Sequence, residues 1–354
     1  MSHAWLITGP PGSGRSVAAR AFAAALQCTG ETVGCGQCAG CRTTMGRTNA
    51  DVVFAATETS IINVETARSL VLQAQSSPSQ GLWRVIVVED ADRLGESGAN
   101  ALLKAIEEPP EHTVWLLCAP SPEDMIATIR SRCRHLGLRI PTASAVADLL
   151  VREGVATPEV ALEAARAAQS HIGLARALAR DPQMRERRRS IITAPASVRS
   201  VGEAVMAADR LLETAKAQAD AQVSERNARE KAELMRQLGM DEGESATKAS
   251  RTMIRQLEED QKRRSKRALT DAIDRALIDL LAIYRDVLMV QVGGDGELIN
   301  TDLSELVHQI AHDSTPHQTL ARVDHIETAR KRLVSNGNPL LVLEDMAISL
   351  RPQA

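Results

Sequence analysis

An α/β domain followed by all-α domains is the fold class this sequence predicts, and three observations predict it. Short aliphatic runs alternate with helical patterns over the first third of the 354 residues. A glycine-rich turn follows the first of those runs at once. From Ala145 onward the apolar residues recur at helical spacing and no strand-like run interrupts them.

The elements follow in order. Trp5 to Thr8 reads as an apolar strand, Gly9 to Ser16 as the turn, and Ser16 to Gln27 as an alanine-rich helix. Val52 to Ala55 is a second strand and Val64 to Gln75 a helix. Val85 to Val88 is an uninterrupted aliphatic run of the kind covered on both faces of a sheet. Ser97 to Glu108 is helical and ends at Pro109-Pro110, because proline lacks the N–H a helix interior needs. Val114 to Cys118 is the next buried strand. Strands alternating with helices imply a parallel sheet with right-handed crossovers and a ligand site at the carboxyl ends of the strands.

Four cysteines, Cys28, Cys35, Cys38 and Cys41, sit inside this domain, the last three as C-x2-C-x2-C with Gly34, Gly36 and Gly40 around them. Such glycines let the backbone turn tightly enough to aim several thiolates at one tetrahedral ion, and the expectation is a structural zinc site with no open position. Cys118 and Cys133 lie in or beside apolar segments and read as core residues. A disulfide framework is not expected, since the chain shows no apolar signal segment, and a cytoplasmic setting follows. A formal charge of -3 and an aromatic content of 2% argue against strong independent binding of nucleic acid, which draws on basic surfaces and on aromatic stacking. That disfavours a zinc-stabilised nucleic-acid-binding protein and directs the search to protein partners.

The turn G-P-P-G-S-G-R-S fits the phosphate-loop pattern G-x4-G-K-[ST] at Gly9, Gly14 and Ser16, and Gly12 adds to its flexibility. Arg15 stands where lysine belongs, a planar fork in place of a compact point charge. After the strand ending at Val88 come Glu89 and Asp90, whereas an ATPase of this kind places aspartate first for the metal and glutamate second for water. Glu89, Asp90 and Asp92 are open to the simpler reading of a solvated loop at a strand end.

The segment N-A-L-L-K-A-I-E-E-P-P from Asn100 to Pro110, then V-W-L-L-C, then Ser131-Arg132-Cys133, resembles the bacterial clamp loader family of AAA+ proteins. The opening H-A-W-L-I-T-G-P and the four cysteines belong to the same resemblance, whose motifs span residues 3 to 134. It implies a RecA-like AAA+ parallel-sheet domain at 1–139 with a zinc module inserted at 28–41, a small helical lid at 140–195, and a helical collar at 196–354 that joins subunits into a ring. The implied task is to load a sliding clamp onto primed DNA as a subunit of the DNA polymerase III holoenzyme, a nucleotidyltransferase complex. The implied partners are gamma/tau and delta subunits and, through the assembly, the beta clamp and primer-template DNA.

Within that family a motor subunit hydrolyses ATP and a stationary one does not. Arg15, the order Glu89-Asp90 and the absence of a polar threonine at Ala119-Pro120 favour the stationary kind. The alternative is an active gamma/tau-like ATPase. Family members carry an upstream segment at the adenine pocket, and only eight residues precede Gly9 here, so weak binding of ATP or ADP is expected at best. The resemblance implies that Arg132 reaches across to a neighbour's ATP; the simpler alternative is a basic helix end formed by Arg130, Arg132 and Arg134. Gly173-Leu174-Ala175-Arg176 resembles the family's second nucleotide sensor, and Arg176 is open to either that role or a solvated one. His171 reads as structural or exposed.

Three helices are expected in the lid, Ala145 to Glu153, Pro158 to Ala168 with Thr157 as its N-cap, and Ile172 to Arg180. In the collar, Glu213 to Arg267 is polar and charged and is interrupted at Gly239 and at Asp241 to Ala246, which predicts a long helical hairpin. It is either a solvated extension or a docking arm, and its cluster Lys262 to Arg267 either a solvated face or a contact for DNA phosphates. Ala268 to Val292, Leu303 to His312, Leu320 to Asn336 and Pro339 to Leu350 supply packing helices.

Overall fold

A computed structural model describes residues 2–55, 61–238 and 248–352. Its first compact unit comprises Met1–Ala145 with Ser170–Leu174, its second Val146–Gln169 with Ala175–Ala354.

The first unit is built on five strands, β1 (Ala4–Thr8), β2 (Val52–Ala55), β3 (Arg84–Val88), β4 (Thr113–Ala119) and β5 (Arg134–Gly137), in the order β2-β3-β4-β1-β5. Every pairing is parallel, with Thr8 opposite Ala119 and Val88 opposite Leu117. The helices of this unit include α1 (Arg15–Leu26), α2 (Ala39–Met45), α3 (Val64–Ala74), α4 (Glu96–Glu107) and α5 (Ala127–Arg130). Alternation along each strand divides the core into two layers. Ile7, Val85, Val87, Val114 and Leu116 pack with Ala19 and Ala23 of α1. Leu6, Ile86, Val88, Trp115 and Leu117 pack with Leu70 of α3 and Leu102 and Ile106 of α4. Both faces are covered, which is why the strands read as continuous aliphatic runs. This order sets the ends of β1, β3 and β4 side by side.

Two elements here carry no sequence signal. β5 (R-H-L-G) is four exposed residues at the sheet edge, and α2 lies inside the cysteine segment, too short for a helical period. Asp51, fully buried, holds the segment before β3: its carboxylate accepts from the backbone N–H of Ser79 (2.6 Å), Gln80 (2.7 Å) and Gly81 (2.7 Å) and from the Ser79 hydroxyl (2.8 Å).

In the second unit α7 (Pro158–Ala167) starts after Thr157 as expected, but the Thr157 side chain makes no cap hydrogen bond. Either side lie α6 (Ala143–Arg152) and α8 (Ile172–Arg180), each of which begins or runs across the division between the units. α9 (Pro182–Ser197) has no counterpart among the expected helices. Its four closely spaced arginines and internal Pro195 hide the period, yet Ile192 is buried in the helical core and Arg188 is buried against Asp279 (3.1 Å) and Asn300 (2.6 Å). The core of this unit is made by Leu277, Leu280, Ile283 and Val287 of α11 (Lys248–Gln291), with Val307 of α12 (Ser304–His312), Ile326 of α13 (Pro316–Val334) and Leu343 of α14 (Pro339–Ser349). α13 starts earlier than expected because Thr315 caps it in a capping box with Gln318, with Pro316 at the first helical position.

The hairpin is present as α10 (Val201–Gln237) against α11. Ala219, Val223 and Ala268 form a small apolar seam. Further along, polar groups join the helices: Gln261 donates to the Asn227 carbonyl (2.9 Å), and Arg264 to Asn227 Oδ1 (2.7 Å) and Glu230 Oε2 (2.8 Å). The interruption expected at Gly239 and Asp241 to Ala246 lies outside the described residues. Within the basic cluster Arg263 faces Asp260, Arg267 faces Asp271 and Lys266 donates to Asn336, so most of its charge is engaged by the chain itself.

Candidate functional site

Three groups of residues carry the chemistry of the first unit, and the sheet positions each. The glycine-rich turn leaves the carboxyl end of β1, and the Gly9 N–H donates to the carbonyls of Ala119 (3.4 Å) and Pro120 (3.1 Å) at the end of β4. Gly14 is the N-cap of α1, and Arg15 and Ser16 open the helix. Backbone N–H groups in the first turn of a helix lack intrahelical partners and suit an anion. The Arg15 guanidinium, however, donates to the Gly9 carbonyl within its own turn. Gly12 has φ of +86°, and a Cβ there would come within 2.6 Å of the Cα and Cβ of His171. Only glycine fits that close approach. His171 itself is half-buried and its Nδ1 accepts from the Leu174 N–H (3.1 Å), so it caps the start of α8 while lying on the turn.

Glu89 follows β3 and is held by Arg47 at 2.5 Å, whose guanidinium also lies 5.1 Å from the centre of the Phe54 ring. Asp90 is half-buried and begins a short turn of 3₁₀ helix. Burial raises the Asp92 carboxyl above its ordinary value, and the Asp90 charge adds to this. Glu89 and Asp90 thus stand at the strand end beside the turn, but Glu89 is already engaged. Arg176, in the second unit, is bidentate with Glu153 at 2.8 and 3.0 Å.

The four cysteines converge. Their sulfurs all lie within 4.8 Å of one another. A regular tetrahedron with ligand bonds of about 2.3 Å has sulfurs about 3.8 Å apart, so a small contraction closes the cluster on one ion. Gly34 and Gly36, at φ of +75° and +72°, turn the chain between ligands. Backbone N–H groups are aimed at the sulfurs: those of Thr29 (3.5 Å) and Cys41 (3.4 Å) at Cys38, and that of Cys38 (3.4 Å) at Cys35. The donors from Cys41 and Thr29 lower the Cys38 thiol to about 5, and those from Cys35 and Gly30 lower Cys28. Burial raises Cys41, the innermost, to about 12. A cluster of four thiols with amide donors turned toward it fits a metal ion, whose charge would deprotonate the buried thiol as well. Cys118 is buried in the core and Cys133 packs against it, and burial raises each to about 12, as befits inert thiols.

Arg132 lies in the turn after α5, with 38% of its side chain exposed. Its Nη1 donates to the Thr128 carbonyl in α5 (2.8 Å) and to the Ser131 hydroxyl (3.3 Å), and its Nε to the Glu107 carboxylate at the end of α4. One of these bonds does serve a helix, as the simpler reading expects, yet the guanidinium stays accessible. Arg130 bonds the Pro122 carbonyl and Arg134 lies over the Trp5 ring, so neither shares its surroundings.

Arg47 and Glu107 are the residues that sequence reasoning missed, each paired with a residue at least 25 positions away, and such pairs leave no local pattern. His171, read as structural or exposed, is half-buried against Gly12.

Residues 1–142 match the family described as DNA polymerase III, delta subunit. The DNA polymerase III gamma/tau subunit of Mycobacterium tuberculosis is 35% identical over 155 residues, 43% of this chain and 27% of that one. The delta-prime subunit of Pseudomonas aeruginosa is 34% identical over 166 residues, 46% of this chain and 51% of that one. The chain therefore spans about half the length, or less, of these curated relatives. Among solved structures, a gamma-subunit-related protein of DNA polymerase III from Thermotoga maritima aligns over 99% of this chain and 95% of that one, at 16% identity and a TM-score of 0.48. Over about its first 142 residues this chain is thus similar to subunits of DNA polymerase III of both the delta and the gamma/tau kind.

Proposed function

We propose that this chain is a delta-prime-type subunit of a DNA polymerase III clamp loader, a stationary member of the ring that hydrolyses no ATP itself and supplies Arg132 to a neighbour's ATP site. The observation that carries the reading is a contrast within one sheet. The turn from Gly9 to Ser16 keeps the backbone of a phosphate loop, but its cation is spent on Gly9 and the acid at Glu89 on Arg47. Arg132 is also bonded, through Nε and Nη1, but it lies at the surface with 38% of its side chain exposed. The gamma/tau and delta-prime relatives are about equally similar, so identity does not separate the two kinds of subunit; the altered loop supports the stationary one.

In this reading residues 1–139 form the AAA+ domain, 140–195 the lid and 196–354 the ring-forming collar. Gly9, Gly12, Gly14, Arg15, Ser16, Glu89, Asp90 and Arg176 are what remains of a nucleotide site. The cysteine cluster holds one structural zinc ion, since four thiolates suit that metal and leave no position open for substrate. The partners are gamma/tau and delta subunits, and through them the beta clamp and primer-template DNA. Among the described residues no helix is long and apolar enough to cross a membrane, and we place the chain in the cytoplasm with the replication machinery.

A guanidinium is always charged and can bond two phosphate oxygens, which suits the charge that spreads over a transferring phosphoryl group. An arginine supplied in trans contributes roughly 10³ to 10⁵ in rate at the site it serves. Two measurements test the proposal. The isolated chain should show no ATP hydrolysis above a blank, and turnover abolished by replacing Ser16 and Glu89 would establish the gamma/tau-like alternative. Arg132→Ala should leave the chain folded and able to join a reconstituted complex, while DNA- and clamp-stimulated ATP hydrolysis falls. Hydrolysis at the wild-type rate in that complex would make Arg132 a helix-end residue and nothing more.

A further inference from the structure

Arg132 has a long side chain on a surface turn, and such a group loses conformational freedom when it engages a ligand. Freezing one rotamer-rich side chain opposes binding enough to slow the step it serves several-fold. In this structure the freezing is already done from two helices. α5 provides the Thr128 carbonyl for Nη1, and α4 provides the Glu107 carboxylate for Nε. Glu107 is the last residue of α4, two positions before Pro109, where the helix must stop. Its position is therefore fixed by the same sequence feature that ends the helix. Among the described residues no group bonds Nη2, which leaves that nitrogen for an incoming acceptor.

We propose that Glu107 is a positioning residue for Arg132: it holds the Nε edge of the guanidinium so that Nη2 is presented to a phosphate oxygen bound by an adjacent subunit. The inference rests on the assignment of Arg132 given above and adds a residue to it. A carboxylate beside the arginine also opposes an incoming phosphate, and the two effects must be weighed. Both side chains are more than a third exposed, 38% for Arg132 and 42% for Glu107. Solvent and salt screen the repulsion at such exposure, and the pair adds little to folding stability. The directional bond to Nε survives that screening, so positioning outweighs repulsion.

The experiment compares Glu107→Ala, Glu107→Gln, Arg132→Ala and the Arg132→Ala/Glu107→Ala double variant in the full reconstituted complex, reading kcat and KM for ATP with DNA and clamp present. Arg132→Ala defines the whole contribution of the affected site. Glu107→Ala is expected to lower turnover at that site by roughly threefold to tenfold, the scale of freeing one long side chain, with KM unchanged. Glu107→Gln, which keeps an oxygen to accept from Nε and removes the charge, should restore most of the loss. The double variant should be no slower than Arg132→Ala alone, because both substitutions act through one group. Melting temperatures confirm that the variants are folded. If Arg132→Ala is slow and Glu107→Ala is not, Glu107 plays no part and the assignment of Arg132 stands. Equal losses from Ala and Gln would show that charge matters and the bond does not, and faster turnover would show that Glu107 restrains the arginine; either overturns the proposal. A wild-type rate for Arg132→Ala removes the assignment on which the inference depends.

Discussion

The cysteine cluster and the glycine-rich turn lie in the same domain, less than twenty residues apart, and both are bent by glycines, yet their side chains are arranged in opposite ways. At the cluster, four like groups face one point and amide donors support them. At the turn, the backbone has the form of a phosphate cradle while its guanidinium is folded back onto Gly9 and His171 lies on Gly12. The difference is one of redundancy. Four thiols brought to one point are specified largely by spacing, whereas a phosphate loop draws on a single cation, and here that cation is turned onto Gly9.

The largest expected effect tests the first half of that contrast. Cys38→Ser removes the thiol that receives two backbone donors and contacts Cys28 at 3.9 Å, a ligand in the zinc site proposed above. Structural zinc sites contribute on the order of 10 kcal/mol of binding free energy, so the variant should lose its metal by elemental analysis and become open to proteolysis between residues 28 and 46. Far-ultraviolet circular dichroism should retain the signal of the sheet and helices. Less than half an equivalent of metal in the fresh wild-type chain would break the comparison outright.

Asp51 supplies a control, a site in the same sheet whose geometry and chemistry are both complete. Burial alone would raise its carboxyl, but the N–H groups of Ser79, Gly81 and Gln80 and the Ser79 hydroxyl outweigh it and hold the group at about 2. A folded-state value below the unfolded 3.8 means that the ionised form is favoured by folding. The contribution, about 2 kcal/mol, is fully present above pH 4 and is lost as the pH falls toward 2. Asp51→Asn should destabilise the chain at pH 7 by roughly that amount, and the difference from wild type should shrink in acid. A constant difference between pH 6 and pH 3 in chemical denaturation would show that the carboxylate is not the cause.

The smallest effect sharpens the second half. Arg15→Lys restores the compact charge and frees the Gly9 carbonyl, and ADP binding measured by calorimetry should tighten by roughly threefold to tenfold, the worth of one exposed charge contact. Hydrolysis should stay absent, because Glu89 remains paired with Arg47. Affinity equal to wild type would mean that His171, not Arg15, keeps the turn closed.

The same contrast separates what was legible in the sequence from what was not. The strands at Val52, Val85 and Val114, the helix stop at Pro109-Pro110 and the meeting of the four cysteines were readable, since each depends on residues close in the chain. β5, α2 and α9 were not. β5 exposes all four of its residues and so has no apolar run, α2 is too short to show a period, and the arginines of α9 are stabilised by distant partners such as Asp279 and Asn300. The state of the candidate site was hidden for the same reason. Arg15, Glu89 and Arg132 could be picked out by position, but what each side chain holds is decided by Gly9, Arg47 and Glu107, and sequence spacing does not report such pairings.

The hairpin of α10 and α11 has a consequence of another kind. Beyond the main core, the two long helices meet in a small apolar seam of Ala219, Val223 and Ala268, and apolar contact of this kind sets register less sharply than directional bonds do. A slip of one turn, about 5.4 Å, would carry every residue farther along the arm by that distance. Arg264 prevents it. It grips Asn227 and Glu230 together, groups three positions apart on α10, and a displaced helix would leave both acceptors and the half-buried guanidinium unmatched. The polar contacts that make the arm look like a weakly held extension are what give it a defined length, so anything docked along it meets the protein at a fixed reach.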